Sequence, residues 1–186
     1  PVAPRPETVQ GPDGLAAPGF PSDAGQARAA QATRDATRRY VRLPSGETLT
    51  FVRIPAGSFV MGAAAGYADE RPRAVVRIDR AFWMSETEVK NSQYRAFDPD
   101  HDSRYQDLHG MDHTVPGDIS NHRDQPAIRM SWQRAAAFCA WLSRAAGVRA
   151  ALPTEAQWEW AARAGTASRF YWGGLGDDFG AWANLS

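Results

Sequence analysis

Apolar and polar residues alternate usefully only from Tyr40 onward. Within Glu47–Gly62, Leu49, Phe51, Val52, Ile54, Phe59 and Val60 are strand formers. The breaker Pro55-Ala56-Gly57 divides them into two short strands. The stretch Arg73–Met84 predicts a further strand pair or one bent strand. Asn91 is placed as the cap of a short helix through Phe97, with Tyr94 and Phe97 on its inner face. Ser131 caps a stronger helix, since Trp132, Ala135, Ala136, Cys139, Leu142 and Ala146 fall at helical spacing and Gly147 ends it. The capping box Thr154-x-x-Gln157, preceded by Pro153 and closed by Gly165, opens the last helix. Glycines at 173, 174, 176 and 180 make the stretch from Tyr171 to Ser186 loop-like. Short strands, two main helices and long irregular connections predict an α+β fold, not a doubly wound one.

Residues 1–40 differ in kind. Phe20 is their only aromatic before Tyr40, and Pro, Gly and Ala dominate up to Pro21. Such a segment buries too little apolar area to offset its ordering entropy, so an extended or disordered arm is expected, with a short Ala-rich helix capped by Ser22. The organisation expected is thus an arm over 1–40 and one domain segment over 41–186. The 186 residues carry zero formal net charge. A nucleic-acid binder held by phosphate contacts needs a basic face, so that class is disfavoured. No run of about 18 apolar residues is present to span a bilayer as a helix. The chain opens at Pro1 without Met and with an arm of exported-protein character, from which a bacterial-type extracytoplasmic location, periplasmic or secreted, is expected.

Candidate chemistry is sparse. The single cysteine, Cys139, excludes an internal disulfide framework, and beside Phe138 and Trp141 it reads as a packed core thiol. All four histidines, His101, His109, His113 and His122, lie between Asp98 and Asp124 among seven aspartates. Imidazoles and carboxylates are the donors that bind zinc, copper or iron. The spacing is not diagnostic, and the favoured reading is a long solvated surface insertion, with a metal or ligand loop as the alternative. Asp98-x-Asp100-x-Asp102 begins like a calcium loop but lacks the glycine and the closing glutamate. Glu86, Glu88 and Lys90 read as an exposed alternating strand edge, and Glu155, Glu159 and Arg163 as helix-surface pairing.

The ordered motifs are Ile54–Gly62, Asp69-Glu-Arg-Pro72, Phe82–Val89 with Asn91, Gln93, Tyr94 and Phe97, Gln125-Pro126, Met130-Ser-Trp132, Ala137–Trp141, Leu152–Arg163, Tyr171-Trp-Gly173 and Ala183-Asn184. In this order they resemble the formylglycine-generating enzyme family, also called the sulfatase-modifying-factor domain. The resemblance implies a C-type-lectin-like formylglycine-generating-enzyme fold, of which 41–186 would be the N-terminal half. It further implies that Asn184 and the carbonyl of Leu185 match the first two ligands of a family calcium site. The family's copper-binding cysteine pair, which attacks a sulfatase cysteine in true oxidases, would lie in a continuation beyond Ser186. Cys139 matches a position that pairs with a downstream cysteine in that family.

Six of the seven tryptophans lie between Trp132 and Trp182, an aromatic area that needs a partner surface. The expected partner is the missing C-terminal half or a second polypeptide, and a protein or carbohydrate ligand is a further candidate. Three functional readings follow. The first is a non-catalytic or incomplete binding or structural subunit. The second is a true formylglycine-generating oxidase completed by its second half and using copper. The third is a family relative with a His-based iron or copper centre in the Asp98–Asp124 segment.

Overall fold

The computed structural model describes residues 14–20, 38–64, 67–109, 112–168, 170, 171 and 173. These residues fall into two compact units. One draws on 14–20, 53–82 and the residues from Pro153 onward; the other draws on 38–52 and 83–152. Among the described residues, no helix is long and apolar enough to cross a membrane.

In the unit built on 38–52 and 83–152, β1 (Arg38–Arg42) pairs antiparallel with β2 (Thr48–Ile54), setting Val41 opposite Leu49 and Tyr40 opposite Thr50. Gly46 N–H donates to the Leu43 carbonyl at 2.9 Å in the turn between them. The sheet order is β1-β2-β5, and β5 is Phe82–Ser85. Helix α1 (Asn91–Tyr94) is a single turn, and α2 (Trp132–Ala146) is the long helix. The predicted α2 boundaries hold. Ser131 Oγ accepts from Arg134 N–H, and Gly147 ends the helix with φ 64°. The predicted face is met only in part: Leu142 is buried and Cys139 half-buried, but Phe138, outside the predicted set, is the main buried ring against Val41, Leu43, Leu49 and Tyr94, while Trp132 is exposed, because the buried stripe is turned toward Phe138 and Trp141. Tyr94 stacks on Phe138 at 5.3 Å between ring centroids, with Phe97 and Trp141 completing an aromatic wedge. Edge-to-face and stacked pairs of this kind add to plain area burial.

In the other unit, β3 (Gly57–Met61) and β4 (Ala74–Ile78) pair antiparallel, and α3 (Glu155–Arg163) packs against them. The strand break at Pro55–Gly57 has a packing cause. The Trp160 indole lies over Gly57, so that a Cβ there would sit 2.7 Å from its ring, while its N–H donates to the Pro55 carbonyl at 2.8 Å. Phe59 is fully buried between Trp160 and Phe20, at centroid distances of 5.4 and 6.2 Å.

Several expectations are corrected here. Ala17 and Phe20, assigned to an unburied arm, are both in the core of this unit, because Phe20 is large enough to fill the space beside Phe59. The helix expected after Ser22 falls in 21–37, outside the described residues, and β1 already begins at Arg38. The N-cap of α1 is Lys90, whose N–H donates to Gln93 Oε1 at 2.9 Å; Asn91 is inside the first turn and buried. Strand β5 stops at Ser85, so Glu86, Glu88 and Lys90 form no strand edge; Glu86 pairs with Arg38 and Lys90 with Asp124. Helix α3 closes on Ala164, at φ 49°, one residue before the predicted glycine.

Candidate functional site

The segment Asp98–Asp124 is not a plain loop. It contains an antiparallel hairpin of β6 (Tyr105–His109) and β7 (Asp112–Ile119), with irregular register between Tyr105 and His109. Pro116 and Gly117 inside β7 conceal the strand in the sequence, since both are normally excluded from regular strands. Gly117 packs so closely on β6 that a Cβ would lie 2.8 Å from the Gln106 carbonyl oxygen. Leu108 and Ile119 are each about three-fifths exposed, at 61% and 62%.

The base of this hairpin is fixed by a buried polar anchor. Asn91, with 0% exposure, donates both amide hydrogens, to the Ser120 and His122 carbonyls at 2.9 Å each. Its Oδ1 accepts from Ser103 Oγ at 2.6 Å. Ser103, equally buried, also accepts from Ile128 N–H at 3.0 Å. Its own N–H donates to Asn121 Oδ1 at 3.1 Å. Asn121 Oδ1 accepts from the Arg95 guanidinium as well, and Arg95 Nε donates to the His101 carbonyl at 3.1 Å. One short helical turn thereby holds both strands of the hairpin where they leave the core. Arg129 holds β6 from another side: its guanidinium donates to the Tyr105 carbonyl, pairs with Asp107 at 2.8 Å and lies over the Tyr105 ring. The backbone at Arg129 has φ 58°, in the left-handed region that costs an L residue about 1 kcal/mol or more.

The two histidines with described side chains, His101 and His122, play separate parts. His101 Nε2 lies 3.1 Å from Ser103 Oγ, and its ring meets Tyr94 edge-on at 4.6 Å. Burial holds the His101 imidazole below the usual histidine value, against the opposing pull of Asp98. His122 is exposed and contributes its carbonyl to Asn91. His109 and His113 are positions in β6 and β7 whose side chains lie outside the described part. Among the described residues, no group of three His, Cys, Asp or Glu is arranged to hold a metal ion. Asn184 and Leu185, the residues of the calcium expectation, lie outside the described residues.

Cys139 sits half-buried on α2 against the aromatic core, and burial pushes its thiol above the usual value. In the other unit, Glu159 Oε1 accepts from Gly62 N–H at 3.0 Å and from Arg163 Nε at 2.7 Å, while Arg163 returns a bond to the Gly62 carbonyl at 3.1 Å. The predicted i,i+4 pair is therefore also a clamp on one peptide. Gly62 suits it, because at φ 88° a Cβ would stand 2.5 Å from the Glu70 carbonyl oxygen.

Short strands, three α-helices among the described residues and loops fixed by buried amides define an α+β domain of the formylglycine-generating-enzyme type. The chain belongs to the sulfatase-modifying factor enzyme 1-like domain family, whose model matches residues 36–186. It is 34% identical over 163 residues to a formylglycine-generating enzyme of Streptomyces coelicolor, across 66% of this chain and 50% of that protein. It is also similar to an inactive C-alpha-formylglycine-generating enzyme 2 of Bos taurus, at 26% identity across 73% of this chain and 56% of that one. Among solved structures, PvdO from Pseudomonas aeruginosa matches with a TM-score of 0.54 and 25% identity, over 72% of this chain and 54% of PvdO. The chain thus spans about half the length of these relatives and corresponds to the N-terminal part of the domain.

Proposed function

We propose that residues 1–186 supply the non-catalytic, framework part of a formylglycine-generating-enzyme-like domain, a binding or structural unit completed by a C-terminal half or a second polypeptide. The observation that carries this reading is the setting of Cys139. A nucleophilic or metal-binding cysteine acts as thiolate, and needs a cationic, accessible environment. Cys139 is instead packed against the aromatic core, and its burial favours the neutral thiol. Two aromatic residues support the need for completion. Trp132 on α2 is 70% exposed, and Trp158 on α3 is 63% exposed. Large indoles are normally buried against another surface.

Relatives named both as formylglycine-generating enzymes and as an inactive form are found, so the family allows either outcome for the completed protein. In the oxidase reading, a copper ion would supply the dioxygen chemistry; no residue of this chain is assigned to hold it. This part of the chain would then contribute the frame that positions the completing half. The calcium proposal likewise depends on oxygens additional to Asn184 and Leu185, because calcium takes six to eight.

The test is native mass measurement with peptide mapping of the protein purified from its source. The reading expects either a single longer chain or a second polypeptide bound tightly to this one. A soluble, monomeric, cooperatively unfolding species consisting of these 186 residues alone would overturn it.

A further inference from the structure

One face of the β3–β4 ladder is covered from two directions. Side chains alternate along a strand and directly opposed residues share a face, so Phe59, Val76 and Ile78 lie on the same face as the Gly57 position. Trp160 of α3 covers Gly57 and meets Phe59. Further cover comes from residues 14–20. Phe20 meets Phe59 edge-on at 6.2 Å between centroids, and Ala17 and Leu15 pack in the same cluster.

Residues 14–20 are held there by apolar side chains. Their backbone bond is internal, from Phe20 N–H to the Ala17 carbonyl at 3.1 Å. Among the described residues, no hydrogen bond or ion pair joins them to the rest of the unit. The turn is also complete in itself. Pro18 in second place and Gly19 in third, at φ 73°, give the type II pattern. Both are exposed at the tip, while Ala17 and Phe20 are buried, at 0% and 3% exposure. A segment that supplies its own backbone conformation and its own hydrogen bond, and offers the unit only apolar side chains, is built like a bound peptide.

We propose that residues 14–20 are a peptide ligand bound in cis, and that the β3–β4 face beside Trp160 is a docking site for an aromatic residue carried on a Pro-Gly turn. The unit folds without the segment, and the segment plugs the site. When the plug leaves, Phe59 and Ile78 are uncovered, and the site takes the aromatic ring of a second peptide with the same turn chemistry. The tether favours the chain's own segment, because its docking is intramolecular.

The experiment uses the full-length native protein and its Phe20→Ala variant. The probe is a synthetic peptide of residues 14–20, blocked at both ends. The readout is the NMR signal of the Trp160 indole N–H, which donates to the Pro55 carbonyl beside the site. Phe20→Ala should keep the β3–β4 ladder amides as slow to exchange as in the wild type, and added peptide should shift the Trp160 signal saturably. The wild type should need at least about tenfold more peptide for the same shift, which corresponds to a plug docked about nine-tenths of the time. The same peptide carrying Phe20→Ala should shift neither protein. In the wild type alone, the Phe20 amide, corrected for its intrinsic rate, should exchange at least about tenfold faster than the ladder amides, because the plug opens without them. Loss of ladder protection in Phe20→Ala would make the segment part of the fold and overturn the proposal. So would a folded Phe20→Ala protein whose Trp160 signal ignores the peptide, or a wild type that binds the peptide equally well. A wild-type dimer that excess peptide disperses would put a second copy's segment in the site and overturn occupancy in cis.

Discussion

Removing the Asn91 carboxamide is the sharpest probe of the anchor. Asn91→Ala deletes three side-chain hydrogen bonds and leaves the Ser120 and His122 carbonyls and the Ser103 hydroxyl without their buried partner. Each such bond contributes about 1 kcal/mol net, and each buried group left unpaired costs about 1–3 kcal/mol. Water reaching the two carbonyls recovers part of this, so a loss of about 3–5 kcal/mol is expected, a large share of a typical domain's about 5–15 kcal/mol. Urea unfolding with an unchanged denaturant slope reads the change as a lower midpoint. Ser103→Ala removes the same Asn91–Ser103 bond, so the double variant should lose clearly less than the sum of the singles. A loss below about 1 kcal/mol for Asn91→Ala, or strict additivity with Ser103→Ala, would refute the reasoning.

Three further outcomes are expected. Gly57→Ala drives a methyl into the Trp160 indole at 2.7 Å and should cost about 1–3 kcal/mol, with a changed near-ultraviolet tryptophan signal; an unperturbed signal at full stability would contradict the packing. Glu159→Ala strips Gly62 N–H and Arg163 of their shared partner, and should lower stability by about 1–3 kcal/mol in a melt, more than Glu155→Ala on the same helix. Cys139 should alkylate more slowly at about pH 8 than an unstructured thiol, because its folded-state value is raised. By linkage, its contribution to stability is present below the unfolded-state value and fades as pH rises toward the folded one, so Cys139→Ala should flatten the alkaline end of the stability profile.

The helices were readable because their signals are local. Ser131 with Gly147, and Thr154 with Gln157, act within a few residues and needed no tertiary context. The strand break at Pro55–Gly57 was visible for the same reason. The β6–β7 hairpin was hidden because its stability comes from distant residues: Asn91 through carbonyls some thirty residues on, and Arg129 through Tyr105 and Asp107. Neither partner has a periodic signature, and Pro116 and Gly117 argue locally against a strand. Asn91 itself was found as a helix-start residue, but its side chain faces inward instead of capping. The second role of Glu159 and Arg163, on Gly62, was equally beyond a helix-surface reading, since it spans about a hundred positions. Phe20, a lone aromatic in an Ala- and Pro-rich stretch, carries no periodic signal, so its burial beside Phe59 lies beyond what the local sequence shows.

The most direct test of the framework reading is turnover of a cysteine-containing sulfatase-derived peptide with copper and dioxygen supplied. It compares purified residues 1–186 with the protein isolated together with whatever completes it. The account predicts no cysteine-to-aldehyde conversion by 1–186 alone, and no effect of Cys139→Ser on any conversion by the completed protein. Aldehyde formed by these 186 residues alone, or conversion abolished by Cys139→Ser in a protein that remains folded, would contradict it.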